Sequence, residues 1–206
     1  MARILITSGP TRQYLDPVRY LSNGSSGQMG AALAHAAVNR GHDVVIISGP
    51  VSVAYPDAAE VHPVTTTEQM LDRCLQLFPE CDGVIAAAAP CDYRPRHQAT
   101  EKLKKTGASL HLELVETPDI LARLGDMKQS HQWSVGFALE TSAAIPRAYQ
   151  KLMAKNCDWI IVNGVDAIDS PDNCITILDR QQNQSPPFTG TKQELAEEIL
   201  THIQRH

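Results

Sequence analysis

A glycine-rich stretch at 22–30 is the feature that most constrains how this chain can fold. Its glycines, Gly24, Gly27 and Gly30, recur at every third position, with hydroxyl and amide side chains between them. An alanine-rich run at helical spacing follows at once, over 31–38. Such a turn directs backbone N–H groups at one place, where a helix begins and its dipole adds about half a positive charge. The stretch therefore predicts a helix start, capped by Ser or Asn or used to hold an anion.

Short apolar runs alternate with helical patterns along most of the chain. The run at 3–7, the helix predicted from about Gly27 to Arg40 and the strand at 43–48 form a right-handed βαβ unit. Continuous apolar runs are typical of strands that are buried on both faces of a parallel sheet. The same patterns predict further strands at 60–64, 82–89, 133–141 and 158–163, and a helix at 142–156. We therefore expect one α/β domain over 1–206, with a mostly parallel sheet and helices on both faces.

Threonine residues mark several of the predicted helix starts. Thr67 and Thr191 each precede apolar side chains at helical spacing, and they are predicted to cap the helices that follow. Thr117 is predicted to cap another helix, with Pro118 at its first helical position. The run at 173–179 is predicted to be an edge strand that is antiparallel to a short partner.

A polar excursion at about 92–114 interrupts the alternation and is expected to project from the sheet. Alternate residues from 110 to 114 are leucines, which predicts an amphipathic strand. The excursion also carries the only dense group of positive charges in the sequence, Lys102, Lys104 and Lys105. Charge alone leaves these lysines as either solvated surface residues or part of an anion site.

Composition excludes several classes of protein. The chain has 206 residues, 43% hydrophobic and 20% charged, which is enough for one large domain with a full core. A net charge of −5 argues against nucleic-acid binding. No apolar run approaches the roughly 20 residues that span a bilayer, and the N-terminus does not match a secretory signal. Five scattered cysteines indicate a reducing compartment, so we expect a cytoplasmic protein.

Polar residues follow the predicted strands at the ends where an open parallel sheet binds its ligands. Their positions favour a ligand of nucleotide size. They are Ser8–Gly9, Ser48–Gly49, Asp92, Glu140–Thr141 and Asn163. Lys151 and Lys155 lie one helical turn apart, a spacing that is also typical of exposed surface charge, and Phe137 in a strand is typical of a core.

A series of short motifs runs in order along essentially the whole chain. They are Thr7–Arg12, Leu15–Tyr20, Ser22–Gly30, Ala86–Tyr93, Lys102–Lys105, Pro118–Leu121, Val135–Phe137, Glu140–Thr141 and Lys155–Asn156. Together they resemble phosphopantothenoylcysteine synthetase, the ligase domain of bacterial coenzyme A biosynthesis. The resemblance implies a Rossmann-like fold that works as a homodimer.

The resemblance also implies a two-step ligation that uses CTP and Mg²⁺. The carboxylate of 4′-phosphopantothenate attacks the α-phosphate of CTP, which gives an acyl-cytidylate and pyrophosphate. The amine of L-cysteine then attacks the acyl carbon, releases CMP and forms an amide. The family usually occurs fused behind a flavin-dependent decarboxylase. Since this chain begins with the ligase, it resembles the free-standing form unless it is an excised domain, and a separate decarboxylase is a candidate partner.

Roles for individual residues follow from the same resemblance. Asn23 and Lys102 match the family's catalytic residues: the asparagine holds the phosphopantothenoyl intermediate, and the lysine binds the triphosphate from a flap that closes over the site. Ala88 and Ala89 match the small residues beside the intermediate. The remaining matches are expected to bind the nucleotide. Asp92 is expected to bind the cytosine amino group, and Lys151 and Lys155 are expected to bind the triphosphate. The residues expected around the base are Pro118, Asp119, Ile120, Leu121 and Phe137.

Some positions depart from the family pattern. Gln28 stands where many members have Lys or Arg, so it is given no phosphate contact. Pro90–Cys91 replaces a more usual small apolar pair, and nothing implies that Cys91 is a nucleophile. The residues that bind L-cysteine and the metal are not assigned.

Three alternatives stay open on the sequence. An NAD(P)-dependent oxidoreductase would need Gly-x-Gly-x-x-Gly after the first strand and an acidic residue at the end of the second, where this chain has Ser8–Pro10 and Ser48–Gly49. A non-catalytic nucleotide-binding module would have no need of Lys102 and Asn23. An ATP-dependent version of the same ligase is also open, because adenine too has an exocyclic amine for Asp92 to bind.

Overall fold

The structure is a computed structural model that describes residues 1–139, 144–163 and 172–204. The strands in chain order are β1 Arg3–Ser8, β2 Arg12–Tyr14, β3 Tyr20–Ser22, β4 Asp43–Ser48, β5 Glu60–Pro63, β6 Gly83–Ala86, β7 Tyr93–Pro95, β8 Leu114–Glu116, β9 Trp133–Leu139, β10 Trp159–Asn163, β11 Asp172–Asp179 and β12 Phe188–Thr191. The α-helices are α1 Gln28–Asn39, α2 Thr67–Leu77, α3 Ile120–Met127, α4 Ala144–Ala154 and α5 Lys192–Gln204. The predicted Glu140–Thr141 turn lies outside the described residues.

Eight strands form one sheet in the order β12-β11-β10-β9-β6-β1-β4-β5. The strands from β10 to β5 pair in parallel, whereas β11 runs antiparallel to both of its neighbours. Helices α1 and α5 cover one face, and α2, α3 and α4 cover the other. This arrangement confirms the predicted α/β fold. The strand predicted at 173–179 is antiparallel to a short partner, as expected, but it is not the edge strand, because β12 pairs along its outer side.

The central strands are mostly apolar because helices cover both of their faces. Leu5 and Ile6 of β1 are fully buried and belong to different cores, Leu5 to the one under α2 and α3 and Ile6 to the one under α1 and α5. Successive side chains of a strand point to opposite faces, so a run without polar residues is what such a sheet requires.

Polar contacts between helices add to this packing on the α1 face. Arg40, which follows α1, donates to the carboxylate of Glu197 and to the hydroxyl of Thr201 in α5.

The longest described helix, α5, has 13 residues. No helix in the described part of the chain is long and apolar enough to cross a membrane.

The strand order reverses at β1. From β1 the chain crosses through α1 to β4 on one side, and it later returns through α2 to β6 on the other side. The segments that follow β1 and β6 therefore diverge and leave a crevice at the carboxyl edge of the sheet. The glycine-rich turn belongs to the first segment and the alanines at 86–89 to the second, so both border this crevice.

Two short hairpins, β2–β3 and β7–β8, lie outside the main sheet. The first was not predicted, since 11–22 reads only as a polar connection. The amphipathic strand predicted over 110–114 is wrong, because β8 begins only at Leu114. Its partner strand turns away after Arg96, and the N–H of Ala99 donates to the carbonyl of Leu15 instead. Leu110 and Leu112 therefore have no strand to pair with among the described residues.

Two helix caps form reciprocal capping boxes. Thr66, and not the predicted Thr67, caps α2, with its hydroxyl accepting from the N–H of Gln69 and the Gln69 side chain accepting from the N–H of Thr66. Thr191 caps α5 as predicted, through equivalent bonds with Glu194. The glutamine three residues after Thr66 was the signal in the sequence that decides between the two threonines.

The cap of α3 differs from the prediction. Asp119 is the cap, and its Oδ1 accepts a hydrogen bond from the N–H of Ala122. Pro118 therefore precedes the helix and does not begin it. Thr117 is unavailable as a cap because its hydroxyl donates to a carbonyl oxygen of the preceding segment, at Cys91.

The ends of β1 and β4 approach too closely to admit a side chain at Gly49. A Cβ atom there would collide with the carbonyl oxygen of Pro10, whereas one at Gly24 would meet nothing within 4 Å. We predict that Gly49→Ala lowers the free energy of unfolding by about 1–3 kcal/mol, because two backbone segments must separate. Urea denaturation followed by circular dichroism measures the loss. Gly24→Ala is the control, and equal small changes in both variants would contradict the tight contact.

Candidate active site

A cleft of about 780 Å³ opens at the carboxyl edge of the sheet, where the strand order reverses. The glycine-rich turn and the segment 86–93 contribute much of its lining. Residues 116–121, Phe137 and the two lysines of 151 and 155 complete this part of the cleft. The fold thus brings together stretches that are far apart in sequence.

Gly27 starts α1 in a backbone conformation that favours glycine, with a φ of 79°. It is the N-cap residue, and no side-chain hydrogen bond caps the helix, so the predicted capping by Ser or Asn does not occur. The N–H groups of the first turn have no intrahelical carbonyl partner, and residues 28–30 line the cleft. An anion at this place would accept hydrogen bonds from them and gain from the helix dipole.

A chain of hydroxyl groups fixes this turn. The hydroxyl of Tyr55 donates to Ser8 Oγ at 2.9 Å, and Ser8 Oγ donates to the carbonyl of Gly27 at 3.2 Å. Ser48 Oγ lies 2.8 Å from the Tyr55 hydroxyl. Ser8 and Ser48 are buried and are not part of the cleft lining. These two strand-end serines, predicted near a ligand, therefore support the turn from beneath.

Asn23 joins the two sides of the cleft. Its Nδ2 donates to the carbonyl oxygens of Ala89 at 3.2 Å and Pro90 at 2.8 Å. The N–H of Ala88 donates in turn to Oγ1 of Thr7 at 3.2 Å. The N–H of Ala88 thus bonds to a side chain of β1 and not to its main chain, and β6 ends at Ala86, earlier than the prediction of 82–89. Because the side chains here are only methyl groups, a ligand can approach the backbone closely.

Three threonines hold the main chain of Cys91, next to Asp92. Thr11 Oγ1 accepts from the Cys91 N–H at 2.8 Å, and the hydroxyls of Thr67 and Thr117 both donate to the Cys91 carbonyl. The N–H of Thr117 also donates to the carbonyl of Asp92 at 2.9 Å. The carboxylate of Asp92 is exposed at the cleft and is carried by backbone that is fixed on both sides.

Two lysines from the end of the α4 region reach the same cleft. Lys151 Nζ donates to the carbonyl of Phe137 at 2.8 Å, and Lys155 Nζ lies 2.8 Å from a carboxylate oxygen of Asp119. Burial by itself would raise the pKa of Asp119. The hydrogen bond from Lys155, the capping N–H and the two lysine charges together outweigh burial, so the pKa lies below its usual value. Asp119 is therefore ionised at neutral pH.

Nearly all of the residues singled out by the resemblance line this cleft. They are Asn23, Ala88, Ala89, Asp92, Pro118, Asp119, Ile120, Leu121, Phe137, Lys151 and Lys155. Lys102 does not line the cleft. Its side chain is exposed, and it lies in the irregular segment between the two strands of the β7–β8 hairpin.

Further polar residues line the cleft, Asn163, Asn173 and Lys192. Asn163 was predicted at a strand end, and its Oδ1 is buried without a hydrogen-bond partner among the described residues. Asn173 and Lys192 were missed. Lys192 is the first residue of α5, where a cation opposes the helix dipole, and this unfavourable placement was a signal that the sequence did contain.

The lining suits an anionic ligand better than a metal held by protein alone. Lysines 151, 155 and 192 and the first turn of α1 all contribute positive charge or N–H donors. No cluster of three or more His, Cys, Asp or Glu side chains is placed to hold a metal ion within the described ranges. Among the described residues, the carboxylates at the cleft are Asp92, Glu116 and Asp119.

Comparison with known proteins identifies the family. The family model described as DNA/pantothenate metabolism flavoprotein C-terminal domain matches residues 1–206, and the chain belongs to this family. The Coenzyme A biosynthesis bifunctional protein CoaBC of Vibrio vulnificus (strain YJ016) is 40% identical over 207 residues, which cover 98% of this chain and 51% of that protein. A Cysteine/Cysteine sulfinic acid decarboxylase of an unknown prokaryotic organism is 38% identical over 207 residues, 98% of this chain and 57% of that protein.

A solved structure agrees with this assignment. The crystal structure of the C-terminal domain of Coenzyme A biosynthesis bifunctional protein CoaBC matches with a TM-score of 0.85 and 37% identity, over 98% of this chain and 94% of that one. The chain spans little more than half the length of the curated relatives it matches. The family resemblance read from the motifs is thus confirmed, together with the fold.

Burial makes the thiol at the cleft a poor nucleophile. Burial, followed by the nearby charge of Asp92, raises the pKa of Cys91, and burial raises those of Cys81 and Cys157 to about 11.

A raised pKa leaves little thiolate at pH 8, so we predict that iodoacetamide labels the exposed Cys174 at least about tenfold faster than Cys91. Peptide mass spectrometry at successive times measures both rates. If Cys91 were labelled as fast as Cys174, Cys91 would be a reactive thiol and the prediction would be wrong.

Proposed function

We propose that the chain is a phosphopantothenate–cysteine ligase that activates 4′-phosphopantothenate with CTP. The observation that carries the proposal is the Asn23 bridge across a cleft that also contains a helix N-terminus and several lysines. Membership of the family, and the coenzyme A biosynthesis that its relatives are named for, support the choice of substrates. A flavin-dependent decarboxylase, fused or separate, is the proposed partner because it would act on the product of this ligation.

The first step brings a carboxylate against a triphosphate, so repulsion between anions must be removed. A carboxylate oxygen of phosphopantothenate forms a bond to the α-phosphorus of CTP, and the bond to the bridging oxygen of pyrophosphate breaks. Lys151 and Lys155 are proposed to bind the triphosphate from within the cleft, and Lys102 from the segment outside it. The N–H groups at 28–30 offer further donors to one of the phosphate groups.

The second step needs the acyl-cytidylate to survive until L-cysteine arrives. The amine attacks the acyl carbon, CMP leaves with the bonding electron pair, and the nitrogen loses a proton to form the amide. Asn23 and the backbone of Ala88 and Ala89 are proposed to hold the intermediate. Closure over the cleft of the part of the Lys102 segment that follows Leu103 would exclude water, which otherwise hydrolyses an activated acyl group.

The nucleotide base is proposed to lie against Phe137, with Pro118, Ile120 and Leu121 beside it. Asp92 would accept a hydrogen bond from the exocyclic amine of cytosine. The N–H of Thr117 holds its carbonyl, and the threonine bonds hold the main chain of the preceding Cys91, so the carboxylate is carried by fixed backbone. Adenine has a similar amine, and an ATP-dependent ligase is therefore the alternative that the experiment must separate.

Mg²⁺ is proposed to bind together with the triphosphate. Asp119 is already paired with Lys155, and Asp92 is proposed for the base. Glu116 is the remaining carboxylate of the lining among the described residues, and it is proposed to join the phosphates in holding the ion. The ion would neutralise phosphate charge during the first step.

The proposed activity is tested by offering CTP or ATP separately with Mg²⁺, 4′-phosphopantothenate and L-cysteine, and by separating the nucleotide products chromatographically. CMP that forms only with phosphopantothenate present is the expected result. AMP would keep the ligase and overturn the assignment of Asp92 as the residue that selects cytosine, and no cleavage of either nucleotide would indicate a non-catalytic relative.

Lys102→Ala is expected to lower turnover by about 100-fold through lost transition-state stabilisation, with Lys104→Ala as the neighbouring control that changes little.

The exposed apolar side chains of the two hairpins support a homodimer. Leu110 is 60% exposed, and further large apolar side chains of this region are exposed as well, namely Val18, Tyr20, Tyr93, Leu112 and Leu114. An apolar group of this kind is unfavourable in water and is typical of a protein–protein interface. We infer that a second copy of the chain covers it.

Replacing Leu110 and Leu112 together by Glu is predicted to convert the dimer to a monomer, because burying two carboxylates in the interface is costly. Light scattering after size-exclusion chromatography measures the mass. Val61→Glu places one carboxylate on the exposed edge strand β5, outside the two hairpins, and should leave the dimer intact. A wild-type monomer, or a dimer that survives the double substitution, would contradict this interface.

A further inference from the structure

The turn at 15–19 holds the segment that carries Lys102. Arg19 Nη2 donates to the carbonyl of Leu103 at 2.7 Å, and the N–H of Leu103 donates to Asp16 Oδ2 at 3.1 Å. Both main-chain polar groups of Leu103 are therefore bound by one pair of opposite charges. The residue next to Lys102 is thus fixed, although the segment around it forms no helix or strand.

Asp16 is a fully buried carboxylate with both oxygens engaged. Oδ1 accepts from the N–H groups of Val18 and Arg19 at 2.8 Å, and Oδ2 accepts from Arg19 Nε at 2.9 Å as well as from Leu103. The hydrogen bond from Arg19, opposed by burial and aided by the backbone N–H groups, holds the pKa of Asp16 well below its usual range. Asp16 is therefore ionised at neutral pH.

The bonds of Asp16 exceed what the turn itself requires. The two bonds to Oδ1 are enough to close the turn at 16–19. Oδ2 and the guanidinium instead reach a residue more than eighty positions away in the sequence. Burying a charge is costly unless it is fully paired, so an arrangement of this kind indicates a use for the distant contact.

The same stretch of chain also leads to Asn23. It continues from Arg19 through β3 to the asparagine whose amide holds Ala89 and Pro90. One short stretch therefore fixes both the backbone proposed to face the acyl intermediate and the segment proposed to supply a lysine to the triphosphate.

We propose that Asp16 is a positioning residue for Lys102, acting through Arg19 and the main chain of Leu103. The proposal rests on the role proposed above for Lys102. With Leu103 anchored, Lys102 samples few positions, and less conformational entropy is lost when it meets a phosphate. Without the anchor, the lysine would have to be ordered at the moment of binding.

A double-mutant cycle on CTP binding in the presence of Mg²⁺ tests the proposal by isothermal titration calorimetry. Loss of a charge-assisted anchor is expected to weaken CTP binding about tenfold in Asp16→Asn when Lys102 is present. In the Lys102→Ala background the same substitution should change binding by less than about twofold, because the two residues act as one unit. An equal loss in both backgrounds, or tighter binding in Asp16→Asn, would overturn the proposal.

A second measurement needs no nucleotide and so separates failure of this proposal from failure of the proposed function. Leu103→Pro removes the N–H that Asp16 binds and leaves the Asp16–Arg19 pair intact. Ser109→Pro is the matched control, since Ser109 is exposed in the same segment and its N–H makes no hydrogen bond among the described residues. Thermal unfolding of each variant checks that the fold is retained.

Limited trypsin digestion then reports on the anchor through cleavage after Lys105. Asp16→Asn and Leu103→Pro are expected to speed this cleavage at least about fivefold, because an unanchored segment opens more often, while Ser109→Pro stays at the wild-type rate. An unchanged rate in Asp16→Asn would overturn the anchor whether or not the chain cleaves CTP. Faster cleavage in a chain that fails to bind CTP would leave the anchor standing and remove the ligase.

Discussion

Close backbone contact at the carboxyl end of β1 is the constraint on which the site depends. Gly30 lies against Ser8 and Gly49 against Pro10, at distances where a Cβ atom would collide. These contacts let the start of α1 and the segment after β6 share one crevice, while the strands beneath keep an unbroken parallel ladder. Main-chain contacts therefore determine where the crevice forms. Side chains such as Asn23 join segments that the backbone has already brought together.

The regular part of the fold could be predicted because it depends on local patterns. Buried parallel strands need apolar residues on both faces, and their carboxyl ends must meet at one edge, so the place of the cleft followed from the order of the runs. The β2–β3 hairpin depends instead on contacts between its own strands. Arg12 lies 4.5 Å from the centre of the Tyr20 ring, and the rings of Tyr14 and Tyr20 meet edge to face. No periodicity in a three-residue strand reveals such a pairing.

Within the site, motif resemblance predicted which residues meet, but it could not predict what most of them touch. Ser8 and Ser48 follow strands and were expected near a ligand, yet both bind the hydroxyl of Tyr55. Tyr55 lies in an irregular connection with no local pattern, and only the tertiary structure shows its role. The anchor between Asp16 and Leu103 is of the same kind, since a long separation along the chain hides it.

The ion pair between Lys155 and Asp119 has a consequence for turnover. The ammonium group already has an anionic partner before any ligand arrives, so a phosphate group must compete with an internal carboxylate. The electrostatic gain on binding is then the difference between two ion pairs, which is smaller than the attraction of a bare cation. In the proposed reaction, the carboxylate would recapture the lysine when pyrophosphate leaves, which would make rebinding of pyrophosphate less favourable. An internal competitor of this kind would lower the affinity for reactant and product alike, and it would thereby limit inhibition by the phosphates that the proposed reaction releases.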